Sequence, residues 1–490
     1  MKRIRGEEQP GFLEILGNWL PHQPWFPELK GRHRYTRVGG LRLPAPQGEA
    51  DAGLVLELHI FEVTVPGADP GQEPERISVP LALRSRPSAL AGKSAFIGKL
   101  STTDGEDLWV YDGARDRAFL TAWLEMARRR QGSRNGRSRG EAMAGFADWE
   151  PFELKLRRRM VASSLPNVTR TLVAPENTAE DGDWDRKVAV DLLRRPAEEH
   201  PQLLETVLTL TAAHSQSISR VLGTVTGAWE DREYSSHEAL EWQSGLLGVI
   251  REAGAEAPSA HGLAKTALQE GSGFTQTAYE LGKTLGNFHA DMAGSFGAHP
   301  QSTEQLRSMS AAAQRALSSQ WERVRSEFDE DESADLNDVI DLMTMQLRDA
   351  DEPLMLQTIH GEVSLHHFHR MTDQRWIVSE SGGMVEHTLG LRDVVTVLIS
   401  LANTVMSVAS QTPEINTEAE SEAGAPVNFG LWYEQASVQL LAGYRDSDAD
   451  STGVDSVFFR AAMLAEALEL FHQWEGRWVF RPSMLLQADS

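Results

Sequence analysis

The chain contains no cysteine. Disulfides, zinc–cysteine sites and thiol nucleophiles are therefore excluded. Positive charge is also in short supply: 71 Asp and Glu against 47 Lys and Arg leave a formal net charge of −24. Such a field repels phosphate, so neither nucleic acid nor an anionic membrane is expected as a partner. A nucleotide site stays open, because a few amides and a divalent cation reverse the field locally. The most apolar segment, VVTVLISLANTVMSVA (Val394–Ala409), is too short for a bilayer span and carries Ser, Asn and Thr. It reads as a buried core helix. The start, MKRIRGEEQPGF, has positive charge but no apolar run behind it. No signal peptide is expected, and a cytoplasmic protein follows.

What is present is ordinary globular material. Hydrophobic residues make up 41% and charged residues 24% of 490 positions, enough for roughly two to four domains. The head reads as β-rich. LVLELHIFEV and ERISVPLALRS alternate as strands, AFIGKL and DLWVYDGA follow around the turn STTDGED, and DRAFLTAWLEMARRR places Phe119, Trp123 and Met126 on one helical stripe. RRRQGSRNGRSRG (128–140) is basic and Gly/Ser-rich; without aromatic interleaving it reads as a solvated linker rather than a nucleic-acid patch. Strand patterns return in FELKLRRRMV, RTLVAP and KVAVDLLRR. After Pro201 helical spacing dominates to about Ala350, including FDEDESADLNDVIDLMTMQL with Ser333 or Asp335 as its cap. A short β island, MLQTIHGEVSLHHFHRMTDQRWIVSES, then forms a hairpin turning at TDQ. Helices over Leu391–Ala409, Leu431–Tyr444 and Val457–Trp474 follow, with the acidic QTPEINTEAESEAGAP as a loop between the first two.

This order is that of a two-lobed phosphotransferase whose chemistry sits on a hairpin in the helical lobe. Phosphoryl transfer needs positioning and charge more than covalent chemistry. It needs a carboxylate at the substrate hydroxyl, ligands for Mg²⁺, and a cation on a small-lobe strand for the phosphates. The hairpin offers Glu362, His366, His367 and Glu380. Two carboxylates and an imidazole can hold a divalent ion, and the same residues can equally be ordinary hairpin side chains; spacing leaves both open. A zinc site at His360, His366, His367 and His369 matches no standard ligand spacing.

At these residues the chain resembles the maltokinase family and its glucosamine-kinase relatives. WLPHQPWFPELKGR (Trp19–Arg32) is similar to the family's cap opening WLPxQRWFxxKGR, and HGEVSLHHFHR (His360–Arg370) to HGDLHLGQVLR. WIVSESGG (Trp376–Gly383) is similar to WxxIDFEGEP, LRDVVTVLISL to LRDVAGMLRSF, WYEQASVQLLAGYRD to the helix ending FLAGY, and RWVFRPSMLL to YEANNRPDWL. The resemblance implies an α+β, protein-kinase-like two-lobed fold with an N-terminal β-rich cap: 1–148 the cap and an intermediate subdomain, 149–232 the small lobe, 233–490 the helical lobe carrying the hairpin 357–383. It implies transfer of phosphate from ATP, with Mg²⁺, to maltose or glucosamine. Further implied partners are a small sugar or glucan, and a protein such as a paralogous kinase or a trehalose synthase-type enzyme. His360, Gly361, Arg392 and Asp393 would support the loop.

The departures fall on the chemistry. By the same resemblance the family's catalytic Asp matches Glu362, its metal-binding Gln and Asp match His367 and Glu380, and its phosphate-binding Lys matches Asp191. The loop over the nucleotide matches Pro166–Thr169, including Asn167 and Thr169, and the arginine of the cap opening is Pro24. A carboxylate displaced by about 1 Å can cost roughly 10²-fold in rate. An Asp where a phosphate-binding cation belongs is repulsive to the same phosphates. Lys187, four residues earlier on the same strand face, is the cation that could substitute. The expectation is a degenerate maltokinase-like protein, a pseudokinase or a very weak kinase, with Mg²⁺ and ATP as cofactors if it is active and none if it is not. The alternative is an active Mg–ATP-dependent sugar kinase with Glu362 as base. Sugar specificity would reside near Trp474, Glu475, Trp478 and Arg481.

Overall fold

The computed structural model describes residues 9–67, 74–88, 93–102, 105–163, 167–175, 187–196, 202–232, 234–235, 239–254, 258–351, 353–379, 384–411, 428–478 and 480. Pro166, Glu380, Arg481 and the acidic segment after Gln411 lie outside these residues. The chain divides into two compact units: Met1–His214 with Ser219–Ala253, and Ser215–Ile218 with Gly254–Ser490.

The first unit contains α1 (Phe12–Trp19), β1 (Arg34–Leu43), β2 (Val55–Thr64), β3 (Glu75–Arg84), β4 (Phe96–Ser101), β5 (Asp107–Asp112), α2 (Arg117–Arg128), β6 (Ser138–Ala142), β7 (Leu156–Val161), β8 (Val168–Pro175), β9 (Val188–Leu193), α3 (Gln202–Ala212), β10 (Val221–Glu230) and β11 (Trp242–Glu252). Its strands form one sheet in the order β4-β5-β3-β2-β1-β10-β11-β9-β8-β7, with β6 also on β10. The expected head strands and the β7–β8–β9 group are thus continuous through β1 and β10. Strand alternation explains the two cores. Leu56, Leu58 and Ile60 of β2 point toward α2, where Phe119 and Trp123 are fully buried; Phe61 and Val63 point toward Phe12 and Leu16 of α1. Asp116 caps α2, its carboxylate accepting from the backbone N–H of Ala118 and Phe119.

Two expectations change here. The stretch after Pro201 is not continuously helical: β10 and β11 pair along their length, and β11 pairs β9. The expected division after 232 falls between these two paired strands, whereas the observed one follows Ala253. The basic segment is not a linker either. Residues 132–139 form a hydrogen-bonded turn running into β6, and the Arg137 guanidinium stacks over Trp242 at 3.4 Å.

The second unit contains α4 (Ala260–Glu270), α5 (Thr275–Phe296), β12 (Ala298–Pro300), α6 (Thr303–Val324), α7 (Glu330–Asp349), β13 (Met355–Ile359), β14 (Phe368–Arg370), β15 (Trp376–Val378), β16 (Val385–Leu389), α8 (Leu391–Ser410), α9 (Phe429–Arg445), α10 (Thr452–Asp455) and α11 (Val457–Gln473). Helix α7 is capped by Asp329, a turn before the expected Ser333 or Asp335. Helix α8 alone among the described residues has the length and apolarity to cross a membrane, and 61% of its apolar window is buried. Helices α5 and α9 pack backbone to backbone: a Cβ at Gly282 would land on the Leu440 carbonyl, and one at Gly443 on the Tyr279 carbonyl. Hairpin β14–β15 pairs Phe368 with Val378 and Arg370 with Trp376, turning at the expected residues.

Candidate functional site: a catalytic-type loop and a charged strand face

The loop His360–Ser364 leaves β13 and turns at Gly361, whose φ of +86° is a conformation that glycine adopts at no steric cost. The first turn of α8 holds it in place. The Asp393 carboxylate, fully buried, accepts from the backbone N–H of His360 and of Gly361, each at 2.9 Å. It also meets His289 Nε2 at 3.1 Å, while His289 Nδ1 lies 2.9 Å from the Tyr444 hydroxyl. Burial raises the Tyr444 phenol, so it stays protonated and donates to Nδ1; His289 then carries its proton on Nε2 and donates to Asp393. A buried chain from α9 through α5 to α8 thus fixes two successive loop amides.

His360 ties the loop to the other end of the hairpin. Its Nε2 is 3.0 Å from the Ser379 carbonyl, which only accepts, so the proton sits on Nε2. Its Nδ1 lies 3.4 Å from the Glu362 backbone N–H, at the long limit of a hydrogen bond. The side chain of Glu362 is exposed and makes no hydrogen bond or ion pair among the described residues. Of the expected loop supports, His360, Gly361 and Asp393 are brought together; Arg392 points its side chain to solvent. His289 and Tyr444 were not anticipated, since a lone His on an amphipathic helix carries no signal of its partner.

His367 is half-buried. Burial, then the charges of His360, His366 and His369, push its pKa down to about 4, so it is neutral near pH 7. Its Nδ1 accepts from the Ser364 backbone N–H at 3.0 Å, with the Ser364 hydroxyl also at 3.0 Å. The neutral ring therefore carries its proton on Nε2 and has no lone pair left for a cation. The expected metal role of His367 is not available in this arrangement, and its supposed companion Glu380 lies outside the described residues. Among the described residues no three His, Asp or Glu side chains converge as a metal site, which also removes the His360–His366–His367–His369 zinc arrangement. Instead His366 stacks on His261 of α4 at 3.9 Å, and His261 Nδ1 meets Thr404 Oγ1 at 3.1 Å.

In the first unit the candidate nucleotide residues do not share one surface. Thr169 pairs across with Leu192, whereas Arg170 pairs with Asp191, so Thr169 and Asp191 point to opposite faces of the sheet. The Thr169 hydroxyl accepts from Arg194 Nε at 2.7 Å. Asn167, at φ +55°, accepts the Arg194 backbone N–H at 2.8 Å. Arg194 is fully buried, lies over the Trp25 ring at 4.5 Å and reaches Asp112 at 3.4 Å. Lys187 is buried just before β9. Asp191 is itself fully buried. Arg170 forks onto it with two bonds of 2.7 Å, and Arg251 of β11 lies 3.5 Å away. Where the resemblance implies a phosphate-binding cation there is a carboxylate held by two guanidinia.

Of the residues expected to set sugar specificity, Trp474 donates from Nε1 to Asn403 at 3.3 Å, and Trp478 packs tilted against Phe471 at 4.5 Å and stacks on Phe328 at 5.7 Å between ring centres. Trp478 is thereby part of a helix-end core.

Residues 19–116 match the maltokinase N-terminal cap domain. No curated protein matches the chain in sequence. Among solved structures, glucosamine kinase in crystal form A matches with a TM-score of 0.50 and 16% identity, over 98% of each chain. Glucosamine kinase in complex with glucosamine, ADP and inorganic phosphate matches at TM-score 0.49 and 15% identity, over 96% of this chain and 98% of that one. A choline kinase from Cryptosporidium parvum matches at 0.34 and 10%, over 70% and 85%. Residues 19–116 are thus similar to a maltokinase N-terminal cap domain, and the chain has a kinase-like α+β fold similar to that of glucosamine kinase.

Proposed function

We propose that this is a maltokinase-like protein whose phosphotransfer motifs are degenerate, a pseudokinase or a very slow kinase in the cytoplasm. Its role is binding or regulation in glucan and trehalose metabolism. The ligand is a small sugar or a glucan, or the partner is an enzyme such as a paralogous kinase or a trehalose synthase-type protein. The observation that carries this reading is the catalytic-type loop. Asp393 still holds His360 and Gly361, yet His367 is locked in the tautomer that cannot ligate a cation. The strand position of Asp191 agrees with it, because a buried carboxylate repels the phosphates that a lysine would attract.

The second reading, an active Mg–ATP-dependent sugar kinase acting on maltose or an amino sugar, draws on the exposure of Glu362, which leaves its carboxylate available as a base. One experiment separates the two. Purified protein is incubated with Mg–ATP and maltose or glucosamine, and sugar phosphate is followed by ³¹P NMR. The degenerate reading expects none above background. Sustained sugar-phosphate formation that disappears in Glu362→Ala would overturn it.

A further inference from the structure

The basic segment that follows α2 takes no part in the loop chemistry, yet it helps to build a concavity within the first unit. The end of α2 and residues 142–148 line a space of about 380 Å³, the size of a small-molecule pocket. One wall is fixed: Arg128 forks onto Glu125 with bonds of 2.8 and 2.9 Å, and its Nη1 donates to the Trp149 carbonyl at 2.9 Å. Arg129 shares the same carboxylate at 2.6 Å but keeps 52% of its side chain exposed. Arg130 lines the space as well, and its guanidinium has no hydrogen bond or ion pair among the described residues. Its backbone is unusual. The Arg130 N–H bonds the Ala127 carbonyl and the Gln131 N–H that of Met126, the pattern that closes a helix on a left-handed residue. Glycine normally occupies that position; here an arginine does, at φ +53°. Elsewhere in the lining the chain turns at Ala144 and Gly145, with φ of +46° and +76°, and their amides have no acceptor among the described residues. The charge is equally local. Residues 125–148 hold six Arg against three acidic side chains, net +3 in a chain of −24.

A side chain on left-handed backbone costs stability that glycine would restore. The helix end therefore gives no reason for Arg130, whereas an unpaired guanidinium at the mouth of a concavity does. We propose that this concavity is a binding site for a phosphate-bearing small molecule, with Arg130 and Arg129 as its cationic contacts and the Ala144 and Gly145 amides as further donors. A guanidinium offers phosphate a planar fork of N–H donors, and Arg130 has all of its donors uncommitted. Backbone amides left without acceptors suit the remaining phosphate oxygens. The space exceeds what a bare phosphate fills, so it has room for an organic body. Asp148, the acidic residue of the lining, can accept from a hydroxyl on that body. A nucleic-acid strand fits poorly: Trp242, the aromatic on this segment, is already covered by Arg137, and the field of the whole chain repels a polyanion. None of these residues belongs to the catalytic-type loop, so the site stands whether or not the protein transfers phosphate.

The test uses the full-length chain, with glucose 6-phosphate as the probe and inorganic phosphate and glucose as comparisons, by calorimetry and thermal unfolding. Wild type is expected to bind the phosphate monoester and to gain Tm with it, less so as ionic strength rises, and to ignore glucose. Tighter binding of the monoester than of inorganic phosphate identifies an organic ligand; equal binding, the free ion; both support a phosphate site. Arg130→Gly should weaken binding at least about tenfold, as expected for the loss of one charge-assisted fork. The same variant should unfold, without ligand, at a temperature equal to or above that of wild type, because glycine suits the helix end. Arg130→Gln, which keeps a side chain on the left-handed backbone, should lose binding to the same extent. Three results would overturn the proposal: no binding of either phosphate by wild type at millimolar concentration, undiminished binding by Arg130→Gly and Arg130→Gln, or binding of glucose as tight as that of its phosphate. An Arg130→Gly protein that unfolds at a lower temperature than wild type would assign Arg130 to the helix end and overturn it too, as would an oligonucleotide that outcompetes the monoester. Sugar-phosphate formation from Mg–ATP is read in a separate assay and bears only on the degenerate-kinase reading.

Discussion

Replacing Asp393 by Ala should loosen the catalytic-type loop without unfolding the protein. The carboxylate accepts two backbone amides at 2.9 Å and the His289 ring at 3.1 Å, all buried. A hydrogen bond to a charged group contributes about 1.5–3 kcal/mol, and a buried donor left unpaired costs about 1–3 kcal/mol. Two amides lose their acceptor together, so local opening of the loop should become easier by about 3–5 kcal/mol. Because the chain has two compact units, a single unfolding free energy is poorly defined and local exchange is the better measure. Amide hydrogen exchange at His360 and Gly361 should accelerate by about 10²- to 4 × 10³-fold. Amides in β2 and α2 of the other unit should be unchanged. Asp393→Asn, which keeps one acceptor oxygen but turns an N–H toward the second amide, should fall between. Wild-type exchange rates at both amides in a folded Asp393→Ala protein would refute the reasoning.

Further outcomes follow from the same geometry. Arg194→Met removes the bond to Thr169 and the contact with Trp25, and leaves Asp112 with Arg115 at 3.8 Å; a loss of about 2–4 kcal/mol in urea unfolding of the first unit is expected. An unchanged midpoint would count against Arg194 as the tie between Asp112, Trp25 and β8. Gly282→Ala drives a methyl into the Leu440 carbonyl and should destabilise the α5–α9 pair by about 1–3 kcal/mol, seen as a lower Tm. Stability should also fall in acid. His367 titrates at about 4 when folded and near 6.5 when unfolded, so its contribution is complete above about pH 6.5 and lost as pH falls toward 4. For a half-buried ring this amounts to about 1–2 kcal/mol after solvent screening. His367→Gln should flatten the pH 4–6.5 segment of the profile. Burial would raise the Glu57 carboxyl, but His59 and Arg42 outweigh it and hold it down to about 2. Its contribution is therefore complete above about pH 4.5 and lost as pH falls through 2, and Glu57→Gln should remove that lower segment.

The local elements were legible wherever a single periodicity ruled. The alternation of β2 and β3, the stripe of α2, the apolar helix α8 and the TDQ hairpin all follow from side-chain period alone. The loop was legible as chemistry, because HGE followed by polar residues is a pattern of types, and so was the cap opening. Strands β10 and β11 were not legible. Gly223, Gly227, Gly245 and Gly248 interrupt them, and burial on both faces erases the alternation that marks a strand. Only pairing with β1, β6 and β9 makes them strands. The basic segment has a linker's composition, yet it is ordered by partners elsewhere in the sheet, including Trp242, 105 positions from Arg137.

The amino-acid sequence by itself determined which side chains are available for chemistry: Glu362 and not Asp, His367, Asp191, and no cysteine at all. The tertiary structure alone decided what those groups can do. A tautomer depends on which neighbour faces each ring nitrogen, so the fate of His367 rests on the backbone N–H of Ser364, and that of His289 on Tyr444, 155 residues away. A carboxylate's character depends on its counter-charges. Asp191 is answered by Arg170 and Arg251, which strand pairing sets beside it from 21 and 60 positions away. Electrostatic and hydrogen-bond energies depend on distance and burial rather than on sequence separation, and distance and burial are created only when the chain folds.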